Sequence, residues 1–148
     1  MTKKKIIVLA ILVVVAIGAW YGYSEYNRKN KDMKHAKPDF IISATDLIAE
    51  FASNDSLAAA KYNGQVVEIG GRVKAVEEDD QGYFTVVIGD STSLSSVRCA
   101  LDTIHHSDAA LLRAGSSTTL RGACTGFNKD EMGLGSDVII NRCALIKP

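Results

Sequence analysis

The run QVVEIGGRVKAV at residues 65–76 places two adjacent glycines, Gly70 and Gly71, in the middle of a period-2 pattern. Val67, Ile69, Val73 and Ala75 share one face and Glu68, Arg72 and Lys74 the other, because successive side chains of a strand point to opposite sides. Glycine weakens a flat strand but permits a sharp bend or bulge. A long strand with such a hinge can serve two sheets of a small closed barrel, and the rest of the chain reads as what closes it.

The acidic turn EEDDQG at 77–82 leads to a second strand over 83–88 with Phe84, Val86 and Ile88 on one face. A third strand over 95–101 turns Val97, Cys99 and Leu101 inward and Arg98 outward. Residues 103–113 read as a helix offering Ile104, Ala109, Leu111 and Leu112 to plug a barrel end, stopped by Ala114-Gly115. Strands over 117–126, with Leu120, Gly122 and Cys124 inward, and over 137–146 flank the loop FNKDEMGLGS. Upstream, Ser43 and Asp46 give an S-x-x-D start for a helix carrying Leu47, Ile48 and Phe51, and Asn54 caps a second one that ends at Asn63-Gly64. The expected fold is mainly β: a five-stranded OB-fold barrel with N-terminal helices and a helix between strands three and four.

Charge divides the 148 residues sharply although the total is balanced at 17 basic and 17 acidic. Residues 1–39 hold eight Lys/Arg and three Asp/Glu, whereas residues 40–148 hold nine against fourteen, a balance of −5. Residues 6–24 are uncharged, apolar almost throughout, and end in Trp20, Tyr21 and Tyr23. That length and aromatic end suit a single transmembrane helix. A cleaved signal peptide is the rival, but the apolar run is long for one and Ala16-Ile17-Gly18 is a poor cleavage site. The expected organisation is a basic flank at 1–5, a membrane anchor at 6–24, a basic tether at 25–42 and an OB-fold domain at 43–148. Five Lys/Arg in NRKNKDMKHAK after the span favour a cytoplasmic domain, and the export-like N-terminus favours the opposite. The expectation is a bacterial inner-membrane protein with its domain in the periplasm.

The segments KYNGQVVEIGGRV, SSVRCALD, TTLRGACTGF and VIINRCALI, covering most of the chain after residue 43, resemble the tRNA anticodon-binding-like OB-fold family (tRNA_anti-like). The motifs are Lys61-Tyr62-x-Gly64, Cys99 in V-x-C-x-L-D, Cys124 in G-x-C-T-G, and Cys143 in the last strand. The resemblance implies the fold and a membrane-tethered bacterial, Bacteroidetes-type setting; it brings no catalytic residues.

An OB barrel usually meets its ligand on the outer face of its first three strands. Here that face would present Arg72, Lys74, Tyr83, Thr85 and Arg98, with Arg121 near its edge. One aromatic and a few cations are the minimum for gripping single-stranded nucleic acid, and an acidic domain repels phosphate. The expected function is therefore a non-enzymatic, membrane-anchored envelope module for a protein, peptide or glycan, tied to the bilayer through residues 6–24. A single-stranded nucleic-acid-binding barrel is the alternative. No catalytic, cofactor or metal site is expected: Asp102, His105, His106 and Asp108 cluster, but only His105 and Asp108 share a helical face. In an oxidising compartment Cys124 and Cys143 are the expected disulfide across a hairpin, with Cys99 to Cys143 also open.

Overall fold

The computed structural model describes residues 3–28 and 31–148 and separates into two compact units, Met1–Lys31 and Asp32–Pro148. The first holds α1 (Lys3–Tyr26), a 24-residue helix with no buried residue and a mean hydropathy of 2.4 over its most apolar window. At 1.5 Å per residue it extends about 36 Å, enough to cross the hydrocarbon core of a bilayer. It is a candidate membrane span; a signal sequence has the same character.

The second unit runs β1 (Phe40–Ser43), α2 (Ala44–Ser53), α3 (Asp55–Tyr62), β2 (Val66–Glu78), β3 (Phe84–Ile88), β4 (Ser96–Leu101), a 3-10 helix η1 (Thr103–Leu111), β5 (Ser117–Asn128) and β6 (Asp137–Lys147). Ser43 caps α2 by accepting from Asp46 N, and Asn54 caps α3 by accepting from Leu57 N, which satisfies N–H groups a helix start leaves open. The strands lie in the order β1-β2-β3-β4-β6-β5, and pairing of β2 with β5 closes the barrel. This is the five-stranded OB arrangement in β2 to β6, with β1 as a sixth strand parallel to β2.

Closure depends on β2 changing partners. Val66 through Arg72 pair with β5, whereas Val73 through Glu78 pair with β3. At the change, a Cβ on Gly71 would lie under 3.0 Å from Ile88 Cγ2 and 3.1 Å from Ala44 Cβ, so the bend brings β2 against β3 and α2 at a distance only glycine allows. A register shift between Val73 and Ala75 follows. It departs from the simple alternation expected along 65–76: Ala75 opposes Val87 while Val76 opposes Val86 and packs on the core. The bulge places Lys74 between the two registers.

The core is continuous from Leu47 and Phe51 of α2, through Val67, Ile69, Val86 and Val97, to Ile140 of β6. Burial of this apolar surface is the main favourable term. A second bulge sits in β6. Cys99 opposes Ile140 and Leu101 opposes Cys143, so two steps on β4 meet three on β6, and Arg142 takes φ 55. The extra residue turns both Ile140 and Cys143 inward. Gly122 makes room: a Cβ there would lie 2.6 Å from Cys143 Sγ and 2.7 Å from Ile140 Cγ2.

All three cysteines are free and buried. The Cys124 to Cys143 bridge expected across the β5–β6 hairpin is not made, because Cys124 opposes Ile140 and the bulge moves Cys143 to the level of Leu101. Burial pushes the Cys124 thiol up to about 11 and raises the Cys143 thiol well above its ordinary value, with the neighbouring Cys99 thiol adding to the latter. Thiols held protonated in this way are poor nucleophiles.

The helix expected over 103–113 is present as a 3-10 helix, Thr103–Leu111. The tether expected over 25–42 is divided: Asp32 onward belongs to the barrel unit, with Met33 and Ala36 buried against Val66, Ala123 and Ala144. Asp39 donates its N–H to Val66 O at 2.7 Å and accepts Val66 N at 2.8 Å. A basic, helix-poor run was readable as a spacer; its two small apolar patches were what the barrel back covers.

Gly71→Ala is expected to destabilise the fold by about 1–3 kcal/mol through forced overpacking against Ile88, whereas Gly70→Ala, whose Cβ would meet nothing within 4 Å, is expected to be near neutral. Urea unfolding of the two variants checks the contrast.

Candidate binding surface

Register places Glu77 opposite Thr85 and Thr85 opposite Ala100, with Val87 opposite Arg98 in the next row. This is the outer side of the barrel wall, since Val86, Ile88, Val97 and Cys99 face the core. Arg98 forms an ion pair with the Glu77 carboxylate, and Val87 is buried although it alternates outward. Tyr83, at the end of the β2–β3 hairpin, is 47% exposed.

The other expected face residues are dispersed. Lys74, set in the bulge, donates its Nζ to Ser93 O at 2.7 Å and Ser96 Oγ at 2.9 Å, stapling the β3–β4 loop. Arg121 on β5 opposes Glu68 and is ion-paired to it. Its Nη1 also donates to Ala36 O at 2.7 Å and Lys34 O at 3.1 Å, so it holds residues 32–39 against the barrel back. Arg72 is exposed and lines a shallow cleft of about 270 Å³ with Ser43, Thr45, Asp90 and Ser91. The Asp90 carboxyl in that cleft lies below its ordinary value, chiefly through hydrogen bonds from Thr92, with Lys74 and Arg72 adding to the effect. The structure thus brings Thr85 and Arg98 together, leaves Tyr83 at their edge, and sends Lys74 and Arg121 to internal partners.

Glu77 is the residue that sequence reading missed on this face. It sat in an acidic turn with no visible partner; the β2–β3 register, which the bulge resets, is what brings it to Arg98. Asp32 was missed in the same way. Its carboxylate accepts from His105 Nε2 at 2.6 Å, from His35 Nδ1 at 3.0 Å and from Lys34 N at 2.9 Å. His105 Nδ1 faces Asp108 Oδ2 at 3.8 Å, and that buried oxygen has no hydrogen-bond partner among the described residues. Asp102 is occupied as the cap of η1, accepting from Ile104 N. Among the described residues no three His, Cys, Asp or Glu side chains converge as a metal site. The cluster instead joins residues 32–35 to η1 by charge-assisted hydrogen bonds, which are stronger than neutral ones.

The Asp32 carboxyl is held well below the usual carboxylate range, first by His105 and then by the Lys34 N–H. A folded pKa below the unfolded one stabilises the fold fully above about pH 4 and loses that contribution as pH falls further. Asp32→Asn is therefore expected to speed amide exchange across residues 32–39 at neutral pH and to weaken the acid-induced loss of their protection. Exchange mass spectrometry of the full chain between pH 3 and 7 measures both.

The fold has known relatives. A putative nucleic acid-binding lipoprotein from Klebsiella pneumoniae superposes with a TM-score of 0.55 at 16% identity over 71% of this chain and 91% of that one. Asparaginyl-tRNA synthetase from Entamoeba histolytica superposes at 0.44 and 13% identity, over 72% of this chain and 23% of the synthetase. The corresponding enzyme of Pyrococcus horikoshii gives 0.39 and 20% identity, over 59% of this chain and 21% of the enzyme. No curated protein matches the sequence. The tRNA_anti-like family model matches residues 1–138, nearly the whole chain, and the protein belongs to that family.

Proposed function

We propose that this chain is a membrane-anchored, non-enzymatic binding module of the bacterial envelope, held in the inner membrane by α1 with its barrel on the periplasmic side, and that its ligand is a protein or peptide. One observation carries the choice of ligand: three of the four cations on the expected face already have partners within the barrel, which leaves Arg72 exposed. Arg98 is paired with Glu77 and Arg121 with Glu68, while Lys74 is bound to loop oxygens. Affinity for nucleic acid comes largely from phosphate neutralisation and, for single strands, from stacking on several aromatics. The outer face of β3 and β4 supplies Thr85, Val87, Arg98 and Ala100, and the part of the chain from residue 40 onward carries a balance of −5. A glycan is the weaker fit, since glycan sites set exposed aromatics against sugar faces and among the described residues the β3–β4 face has only Tyr83, at its edge, as an exposed aromatic.

Two measurements test the proposal. A labelled single-stranded oligonucleotide titrated into the full chain in detergent micelles is expected to show no saturable binding even at low salt; affinity that falls steeply with salt overturns it. Protease added to cells with a permeabilised outer membrane is expected to cut the barrel unit, and protection until the inner membrane is lysed reverses the assigned side.

A further inference from the structure

The β2–β3 hairpin and η1 flank an open cavity of about 490 Å³ lined by Glu78, Gly82, Phe84, His106, Ser107 and Ala109 among others. Two of its walls are flat rings. Phe84 and His106 lie parallel to within 9°, with centroids 6.5 Å apart, within the range of an offset-stacked aromatic pair. Both rings are held in place before any ligand arrives. Phe84 packs against the core, and His106 Nδ1 is 3.0 Å from Thr103 O, which leaves the carbonyl accepting and the proton on Nδ1.

The cavity mouth is acidic. Of the four hairpin carboxylates, Glu77 is paired with Arg98, and Asp79 turns back to accept from Gln81 N and Tyr83 N, each at 2.9 Å. Glu78 lines the cavity, and neither it nor Asp80 has an ion-pair partner among the described residues. A ligand group that fits must be flat, to lie on the rings, and cationic, to face Glu78. Phosphate-bearing rings meet the wrong charge here, and an ammonium has the charge without the plane.

We propose that this cavity binds an arginine side chain of the protein partner, its guanidinium lying against the Phe84 and His106 rings and its N–H edge donating to the Glu78 carboxylate. Guanidinium combines stacking on aromatic faces with a donor fork that matches a carboxylate. The inference rests on the reading of the ligand as a protein or peptide, and it names the side chain that would seat it.

The test uses the full chain in detergent micelles and two fluorescein-labelled peptides of equal length and charge, one carrying two arginines and the other two lysines. Anisotropy titrations are expected to show the arginine peptide binding roughly three- to thirty-fold more tightly. Glu78→Gln and His106→Ala, both at exposed positions, are each expected to abolish that preference while leaving the urea midpoint unchanged. Equal affinity for the two peptides, no binding of either, or a preference that survives both substitutions overturns the arginine site while leaving a peptide ligand elsewhere on the barrel intact. Steep salt-dependent binding of the oligonucleotide overturns the underlying reading instead, so the two failures are distinguishable.

Discussion

Everything in the barrel depends on how closely β2 can approach β3 and α2 at Gly71. A single strand pairs with β5 along its first half and with β3 along its second, and this exchange is possible only where the backbone can turn without a side chain in the way. Any Cβ at that point would be driven into Ile88 and against Ala44. Gly122 answers the same need on the other side of the barrel, where Cys143 and Ile140 press into the space its side chain would fill. Close packing of this kind leaves little slack: Gly71 precedes the β2 bulge on the same strand, and Gly122 faces the bulge of β6.

Those bulges decide what the charged residues do. A strict alternation along β2 would send Lys74 to the wet face, but the shifted register lets its ammonium reach the β3–β4 loop. Arg121 and Glu68 stand opposite each other across β2 and β5, and the arginine spends its remaining donors on the carbonyls of Lys34 and Ala36. The barrel uses Lys74 and Arg121 as internal fasteners, whereas Arg72 stays exposed. That distribution, with an acidic hairpin beside two parallel rings, underlies the proposal of a positively charged ligand in preference to a polyanion.

Much of the fold was legible in the sequence because local signals agreed: the paired glycines, the inward sets Phe84-Val86-Ile88 and Val97-Cys99-Leu101, and the caps at Ser43 and Asn54 all pointed to the same barrel. The features that escaped are those set by partners distant in the chain. FIIS is too short to declare itself a strand, and β1 exists because β2 offers it an edge over Val67 to Gly70. Arg142 gives no hint of a left-handed backbone, since the bulge is imposed by the lag between β4 and β6. Asp32 and His105 lie 73 residues apart, and no spacing rule joins them. The candidate site was legible only in its ingredients: Arg98 and Tyr83 were identified as surface residues, whereas the Glu77 pairing and the Phe84–His106 geometry needed the folded register.

The packing of residues 32–39 determines where the barrel can be separated from what precedes it. A fragment begun at α2 would keep every strand of the OB arrangement, yet it would uncover Val66, Ala123 and Ala144 and strip Val66 N of the Asp39 carboxylate. Its back would change from a wetted surface to an adhesive one. Recombination or proteolytic trimming that treats the run after α1 as dispensable would therefore release a barrel prone to self-association, and the inherited unit is the barrel together with its leash.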